Sequence, residues 1–155
     1  MIPRFHSQLL RDGFAVGSTH YADRYPGDEH NARIVVTVAS PQGRAIEMIV
    51  DTGAPWCILD PELAEAWNLL SRTGHITLDW LNVRGERFAG RLVRANLTLQ
   101  ADAGEDLMVE ATIFVPILRS GQIWPYPNFL GLDGFLSRIR FAVDPIENAF
   151  YFGCA

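Results

Sequence analysis

One short stretch, in which a run of apolar residues ends in an acid, constrains the fold of this chain more than any other. The segment Ala45–Val50 has the composition of a strand that enters a core, and it leads directly into Asp51, Thr52 and Gly53. A carboxylate there is costly to desolvate, so either another group stabilises its charge or the carboxyl stays partly protonated. Gly53 allows a tight turn or the close approach of another segment, and the Thr52 hydroxyl can both donate and accept a hydrogen bond.

By itself, the Asp-Thr-Gly triplet is a weak signal. Average residue usage places it by chance in about 3% of chains of this length. An ordinary strand-to-turn junction, with the acid and the glycine as turn residues, is the competing interpretation. A second stretch, Asn128–Leu136, shifts the balance because it places two apolar residues, Phe129 and Leu130, directly before Gly131.

Together, the two stretches resemble the retropepsin-like aspartic proteases. In that family an Asp-Thr/Ser-Gly-Ala loop follows a β-hairpin, and a later apolar pair with a glycine passes behind the loop and leads into a short helix. Here the hairpin would be Arg33–Ala39 and Arg44–Val50, with Ser40–Gly43 as its turn, and the helix would start near Asp133. The resemblance covers about residues 33–153. It implies a mainly β, single-domain fold: a closed β-barrel with one or two short helices.

The resemblance also implies an activity. Such proteases hold two carboxyls close enough to share a proton, so that one takes a proton from water while the other donates to the scissile carbonyl. This chain has a single Asp-Thr-Gly, and its 155 residues are too few for a two-lobed protease. The second carboxyl would therefore come from a second copy. We predict a homodimeric aspartic endopeptidase with Asp51 of each copy as the catalytic pair, and with no metal or other cofactor.

By the same resemblance, the residues after the catalytic acid support its loop and face the substrate. Thr52 would hydrogen-bond across the two-fold axis, and Gly53 and Ala54 would run beside the substrate backbone. The flap that closes over the substrate would be the hairpin around Trp80–Phe88, with its tip near residues 84–86; an ordinary exposed hairpin is the alternative interpretation. The predicted substrate-binding residues are Trp80, Arg84, Gly85, Phe129 and Leu130.

The chain departs from the retroviral members of the family in two places. Acidic residues often follow the Asp-Thr-Gly-Ala loop in those members, and an arginine follows the later glycine, but this chain has Pro55, Trp56 and Leu132 there. The charged brace between subunits is therefore missing. Trp56 would either line an apolar pocket or belong to the core. For the whole protein, the rival hypothesis is a non-catalytic module that uses the same fold for peptide binding or dimerisation.

The rest of the sequence is typical of a mainly β chain. Residues 1–30 lack sustained periodicity and are predicted to form an irregular N-terminal arm, which leaves 31–155 as the protease domain. Asp60 as N-cap, followed by Pro61, predicts a helix that ends by Leu70. Three further strand pairs are expected: His75–Leu81 with Arg87–Phe88, Arg91–Leu99 with Leu107–Val115, and Arg140–Val143 with Ala149–Phe152.

Charge and composition exclude several other classes of function. The net charge of -5 argues against nucleic acid or an anionic membrane as a partner, and no apolar run approaches the length that spans a bilayer. All 13 basic residues are arginine, which excludes catalysis by lysine. The four histidines and two cysteines lack the spacing of a metal site, and two cysteines do not make a disulfide framework. We therefore expect a cytoplasmic protein with reduced thiols, and the resemblance implies that its substrate is a peptide or protein.

Overall fold

Eleven strands and two short α-helices make up the part of the chain that the computed structural model describes, residues 4–71 and 77–155. Alternating apolar and polar side chains favour strands over helices in most of these segments. In chain order the elements are α1 (Arg4–Arg11), β1 (Gly17–His20), β2 (Val35–Ala39), β3 (Ala45–Val50), β4 (Cys57–Ile58), α2 (Pro61–Ala66), β5 (Thr77–Val83), β6 (Glu86–Leu99), β7 (Ala103–Gly104), β8 (Leu107–Ile117), β9 (Phe129–Leu130), β10 (Ile139–Asp144) and β11 (Ala149–Cys154).

Seven of these strands belong to one sheet that closes on itself. Its strand order is β2-β3-β9-β4-β8-β6-β5, and β2 also pairs with β6, where Val38 lies opposite Leu99. Six strands therefore form a closed ring of hydrogen-bonded neighbours, whereas β5 lies outside the ring at the edge, next to β6. The predicted mainly β fold is confirmed, and so is the hairpin of β2 and β3 that precedes Asp51.

The long antiparallel hairpin of β6 and β8 forms the largest wall of this ring. Its register runs from Ala89 opposite Ile117 to Leu99 opposite Leu107. Leu97 and Leu99 are completely buried, and the residues between and before them are more exposed, as the alternation predicts. The main hydrophobic core lies against this buried face.

β6 continues without a break through the point at which the sequence suggested two separate strands. Gly90 interrupts the apolar pattern there, yet it stays in register opposite Pro116. A Cβ atom at position 90 would lie 2.2 Å from the ring of Phe114, so the glycine makes room for a buried ring and does not turn the chain. One strand therefore serves both the barrel wall and the hairpin that β6 forms with β5.

Two regular elements lie within the N-terminal segment, which corrects the expectation of a wholly irregular arm over residues 1–30 for the part from residue 4 onward. α1 is helical, and β1 lies between β11 and β7 in a second sheet of order β10-β11-β1-β7. Asp102 fixes β1 through one carboxylate oxygen, which accepts hydrogen bonds from the Thr19 hydroxyl at 3.1 Å and from the His20 N–H at 2.6 Å. The four residues of β1 show no apolar periodicity, although the strands on either side bury most of them. The start of the protease domain at residue 31 stays a prediction.

Helix α2 begins where the sequence places it. Asp60 Oδ1 accepts hydrogen bonds from the N–H groups of Glu62 at 2.8 Å and Leu63 at 3.3 Å, which satisfies two of the free donors of the first turn. The helix ends at Ala66, and Trp67, directly after it, is only 1% exposed. The large buried ring attaches this short helix to the core.

Two other predictions require adjustment. The helix expected near Asp133 is a 3₁₀ helix limited to Leu136–Arg138, preceded by turns. The predicted strand His75–Leu81 begins outside the described residues, and the part that is described belongs to β5. Within the described ranges, no helix is both long enough and apolar enough to cross a membrane.

Candidate active site

The loop that carries Asp51 is held in place by strand β9. Phe129 lies opposite Ile49 and Leu130 opposite Val50, so that β9 runs parallel to β3 where β3 ends. The Asp51 N–H donates a 3.0 Å hydrogen bond to the Leu130 carbonyl. The apolar pair of the second motif therefore lies directly behind the Asp-Thr-Gly loop.

Gly131 brings the two motifs into backbone contact. A Cβ atom there would lie 2.1 Å from the carbonyl oxygen of Trp56 and 2.9 Å from that of Ala54. The next residue, Leu132, donates its N–H to the Ala54 carbonyl at 2.7 Å. Because any side chain at position 131 would enter the loop backbone, this close approach requires glycine.

The Asp51 side chain lies at the outer side of its loop. The residue is partly buried, Thr52 and Gly53 are exposed, and Ala54 is buried. Asp51 Oδ1 accepts a 2.9 Å hydrogen bond from the Gly53 N–H, which orients the carboxyl. A carboxylate has about four acceptor positions, so Asp51 retains capacity for a water molecule or a second carboxyl.

A cleft of about 250 Å³ opens between this loop and the hairpin of β5 and β6. The cleft brings the predicted catalytic acid together with two of the predicted substrate-binding residues, Arg84 and Phe129. It also contains Leu81 and Val83, which the sequence analysis did not select. Two segments supply most of its lining: Asp51, Gly53 and Ala54 from the loop, and Leu81, Val83 and Arg84 from the hairpin.

The hairpin tip is formed by Arg84 and Gly85, with φ values of 49° and 84°. A two-residue turn with positive φ at both positions matches the twist of the strands on either side, and Val83 pairs with Glu86 across it. The Arg84 guanidinium lies 5.5 Å from the centre of the Tyr126 ring, which is a cation–π distance. This contact links the hairpin tip to the loop that precedes β9.

Three of the five predicted substrate-binding residues do not line the cleft: Gly85 at the hairpin tip, Trp80 and Leu130. Trp80 is 48% exposed, and its ring lies 4.4 Å from the Arg87 guanidinium. It falls on the opposite face of β5 from Leu81 and Val83, because successive side chains of a strand alternate between faces. That alternation is visible in the sequence and could have identified the two inward residues. Leu130 is completely buried behind the loop.

An aromatic cluster lies beneath the hairpin. The Trp124 ring makes edge-to-face contacts with the rings of Phe88 and Tyr126, and the ring centres are 5.0 Å apart in both pairs. These rings pack with Leu81 and Phe129 in an apolar group separate from the main core. The loop over residues 123–127 therefore packs against the hairpin through its two aromatic rings.

Arg33 also lines the cleft, and no pattern in the sequence pointed to it. Its guanidinium contacts Asp28 at 3.1 Å. Hydrogen bonds from the Asn31 side chain and from Arg33 lower the pKa of Asp28 below its ordinary value.

Among residues 4–71 and 77–155, no three His, Cys, Asp or Glu side chains are grouped to hold a metal ion.

Trp56 connects the loop to the hairpin. Its indole Nε1 donates a 3.1 Å hydrogen bond to Oδ2 of Asp79 on β5, and the ring packs against the apolar group that contains Phe129. The sequence analysis considered Trp56 only as a pocket-lining or core residue, and it did not select Asp79. Only the fold reveals the pair, since 23 positions separate the two residues.

Cys57 and Cys154 should differ strongly in reactivity. Cys57 is completely buried, and this burial raises the pKa of its thiol to about 12, whereas Cys154 is exposed. We expect a maleimide at pH 7 to label only Cys154 in the folded protein and both residues after denaturation, as measured by intact mass. Because the unfolded thiol ionises near pH 9 and the buried thiol near 12, this group should also lower stability as the pH rises above 9. Rapid labelling of Cys57 in the folded protein would contradict its burial.

No family model and no curated protein matches the sequence of this chain. Its structure, however, is similar to a crystal structure of a retropepsin-like aspartic protease from Rickettsia conorii. The two sequences are 20% identical, the match covers 90% of this chain and 92% of that chain, and the TM-score is 0.54. At this identity the similarity concerns the fold, and the chain therefore has the retropepsin-like fold.

Proposed function

We propose that this protein is an aspartic endopeptidase in which Asp51 is the catalytic group. The observation that carries the proposal is the position of its carboxyl, on a loop fixed from behind by β9 and beside a cleft covered by a hairpin. The fold it shares with a retropepsin-like aspartic protease adds support. No cofactor is needed, because the reaction is a hydrolysis that two carboxyls and one water can perform.

The reaction requires a second carboxyl, which we assign to Asp51 of the partner subunit in a homodimer. One carboxylate takes a proton from water as the water oxygen attacks the peptide carbonyl, while the other carboxyl donates its proton to the carbonyl oxygen. Collapse of the tetrahedral intermediate breaks the C–N bond and transfers a proton to the leaving amine. The exposure of Thr52 and Gly53 keeps this side of the loop accessible to a partner.

The peptide substrate would lie in the cleft between the loop and the hairpin. Gly53 and Ala54 would run along its backbone, and Phe129 would contact its side chains from below. Leu81 and Val83 of the hairpin offer an apolar surface above, which favours an apolar side chain near the scissile bond.

Peptide cleavage tests this function directly. The protein is incubated at mildly acidic pH with a pool of peptides, with and without a pepstatin-type inhibitor, and the products are identified by mass spectrometry. We expect cleavage that the inhibitor suppresses. Asp12→Asn is the matched control for loss of the Asp51 carboxyl, since Asp12 is an exposed carboxylate directly after α1 that does not line the cleft, and this variant should cleave like the wild type. Peptide binding without cleavage would instead favour the non-catalytic module.

A further inference from the structure

One hydrogen bond joins the Asp51 loop to the hairpin that covers the cleft. The Trp56 indole donates to Asp79 Oδ2 at 3.1 Å, and the other oxygen of the same carboxylate accepts the Trp80 N–H at 2.8 Å. Both oxygens of Asp79 are therefore engaged, one by its own strand and one by the loop. The carboxylate is held rigidly on β5 and presents a fixed acceptor to the indole.

The two ends of this bond lie close to the cleft, on elements that can separate. Trp56 follows Asp51 by five positions, and its carbonyl is pressed against Gly131. Asp79 lies on the same face of β5 as Leu81, which lines the cleft. β5 is an edge strand, and within the described part of the chain its ladder partner is β6. If the hairpin moves away from the loop, this bond must break.

We propose that Trp56 and Asp79 are positioning residues whose hydrogen bond holds the hairpin closed over Asp51. Entry of a peptide into the covered cleft requires the hairpin to lift, and the bond sets how often this occurs. Hydrogen bonds to a carboxylate are stronger than those between neutral groups, although partial exposure weakens this one. We expect its loss to raise the open fraction of the hairpin about five- to tenfold.

Hydrogen–deuterium exchange of the hairpin amides over residues 81–88 tests the proposal without any substrate; the Trp80 amide is left out because it donates directly to Asp79. Trp56→Phe removes the donor and keeps a ring, Asp79→Leu removes the acceptor, and Asp79→Asn keeps an oxygen at the same place. We expect the first two variants to speed exchange by the same factor, their combination to add nothing further, and Asp79→Asn to lie close to the wild type. Glu110→Gln, which breaks an exposed contact to Arg94 on β6 and β8, should leave the hairpin unchanged.

Two results would overturn the proposal. One is unchanged exchange in Asp79→Leu, and the other is faster exchange spread evenly over the barrel, which would indicate a loss of global stability instead of hairpin opening. The link to catalysis rests on the proposed function: because a peptide enters through the open state, Trp56→Phe should speed peptide association about fivefold and change kcat little. Because the exchange measurement can be made in the Asp51→Asn background, absence of peptidase activity would leave the test of the hairpin intact.

Discussion

Replacing Asp51 with asparagine is expected to lower kcat/KM for peptide cleavage by about 10³-fold or more, because general acid–base catalysis by the carboxyl is lost. The amide cannot take a proton from water, and in a dimer neither loop would supply an ionised group. Activity is followed with a peptide identified in the cleavage experiment. Residual cleavage above one-tenth of the wild-type rate would contradict the assignment of Asp51.

The same variant should fold normally. Asp51 is only partly buried, and its Oδ1 accepts the Gly53 N–H, a bond that an asparagine oxygen can also accept. We expect the thermal midpoint to change by less than about 2 °C. If Asp51→Asn lost activity and its thermal midpoint also fell by much more than this, the loss of activity would be explained by misfolding. It would then not support a chemical role for Asp51.

Replacing Gly131 with alanine is expected to destabilise the fold by about 3 kcal/mol or more, because the added methyl group meets backbone atoms that cannot rotate away. The Cβ would lie 2.1 Å from the Trp56 carbonyl oxygen and 2.9 Å from the Ala54 carbonyl oxygen. The loop can make room only by moving away from β9, which would strain the Asp51–Leu130 hydrogen bond. Activity should fall with stability, since the catalytic loop is the part displaced.

Gly43→Ala is the matched control for this substitution. Gly43 lies in the turn between β2 and β3 with φ +83° and nothing within 4 Å of an added Cβ, so alanine there meets backbone strain without a clash. We expect a cost of about 1 kcal/mol, measured by chemical denaturation of both variants. Equal losses for the two variants would contradict the close approach at Gly131.

Local signals in the sequence were sufficient for much of the fold. The Asp60–Pro61 start predicted α2 because capping depends on neighbouring residues alone, and the alternation from Val93 to Leu99 predicted the barrel wall. The two halves of the site were also predictable, since Asp51 and Gly131 belong to short motifs with a fixed order. The retropepsin-like fold inferred from those motifs is confirmed by structural similarity.

Features that depend on distant partners could not be predicted in the same way. β1 has little apolar pattern in its own sequence, and its burial depends on the strands on either side of it. Gly90 resembled a break between strands because the sequence does not show that the Phe114 ring occupies the space beside it. The hydrogen bond between Trp56 and Asp79 joins a loop to strand β5, and the two residues are 23 positions apart in the sequence. Trp80 was placed in the site because the resemblance assigned its hairpin to the flap, although the alternation of β5 directs its side chain away from the cleft.

Where the retroviral members of the family have a charged brace, this chain has an apolar residue beside the Asp51 loop. Leu132 occupies the position after Gly131 and is 39% exposed, with its N–H bound to the Ala54 carbonyl. In the homodimer proposed across the Asp51 loop, this side chain would lie near the contact between subunits. Salt screens an ion pair but not the burial of an apolar group. A contact through Leu132 in place of the arginine of the retroviral members would therefore make the proposed dimer less sensitive to ionic strength.

Subunit mixing tests most directly whether two copies of Asp51 form one catalytic site. Wild-type protein and the Asp51→Asn variant are mixed at constant total concentration, allowed to exchange subunits, and assayed for cleavage of a peptide. If both carboxyls are required, an equal mixture should retain about one quarter of the wild-type activity, since only that share of dimers carries two acids. Activity of about one half, in proportion to the wild-type protein present, would show that each chain works alone and would contradict the shared site.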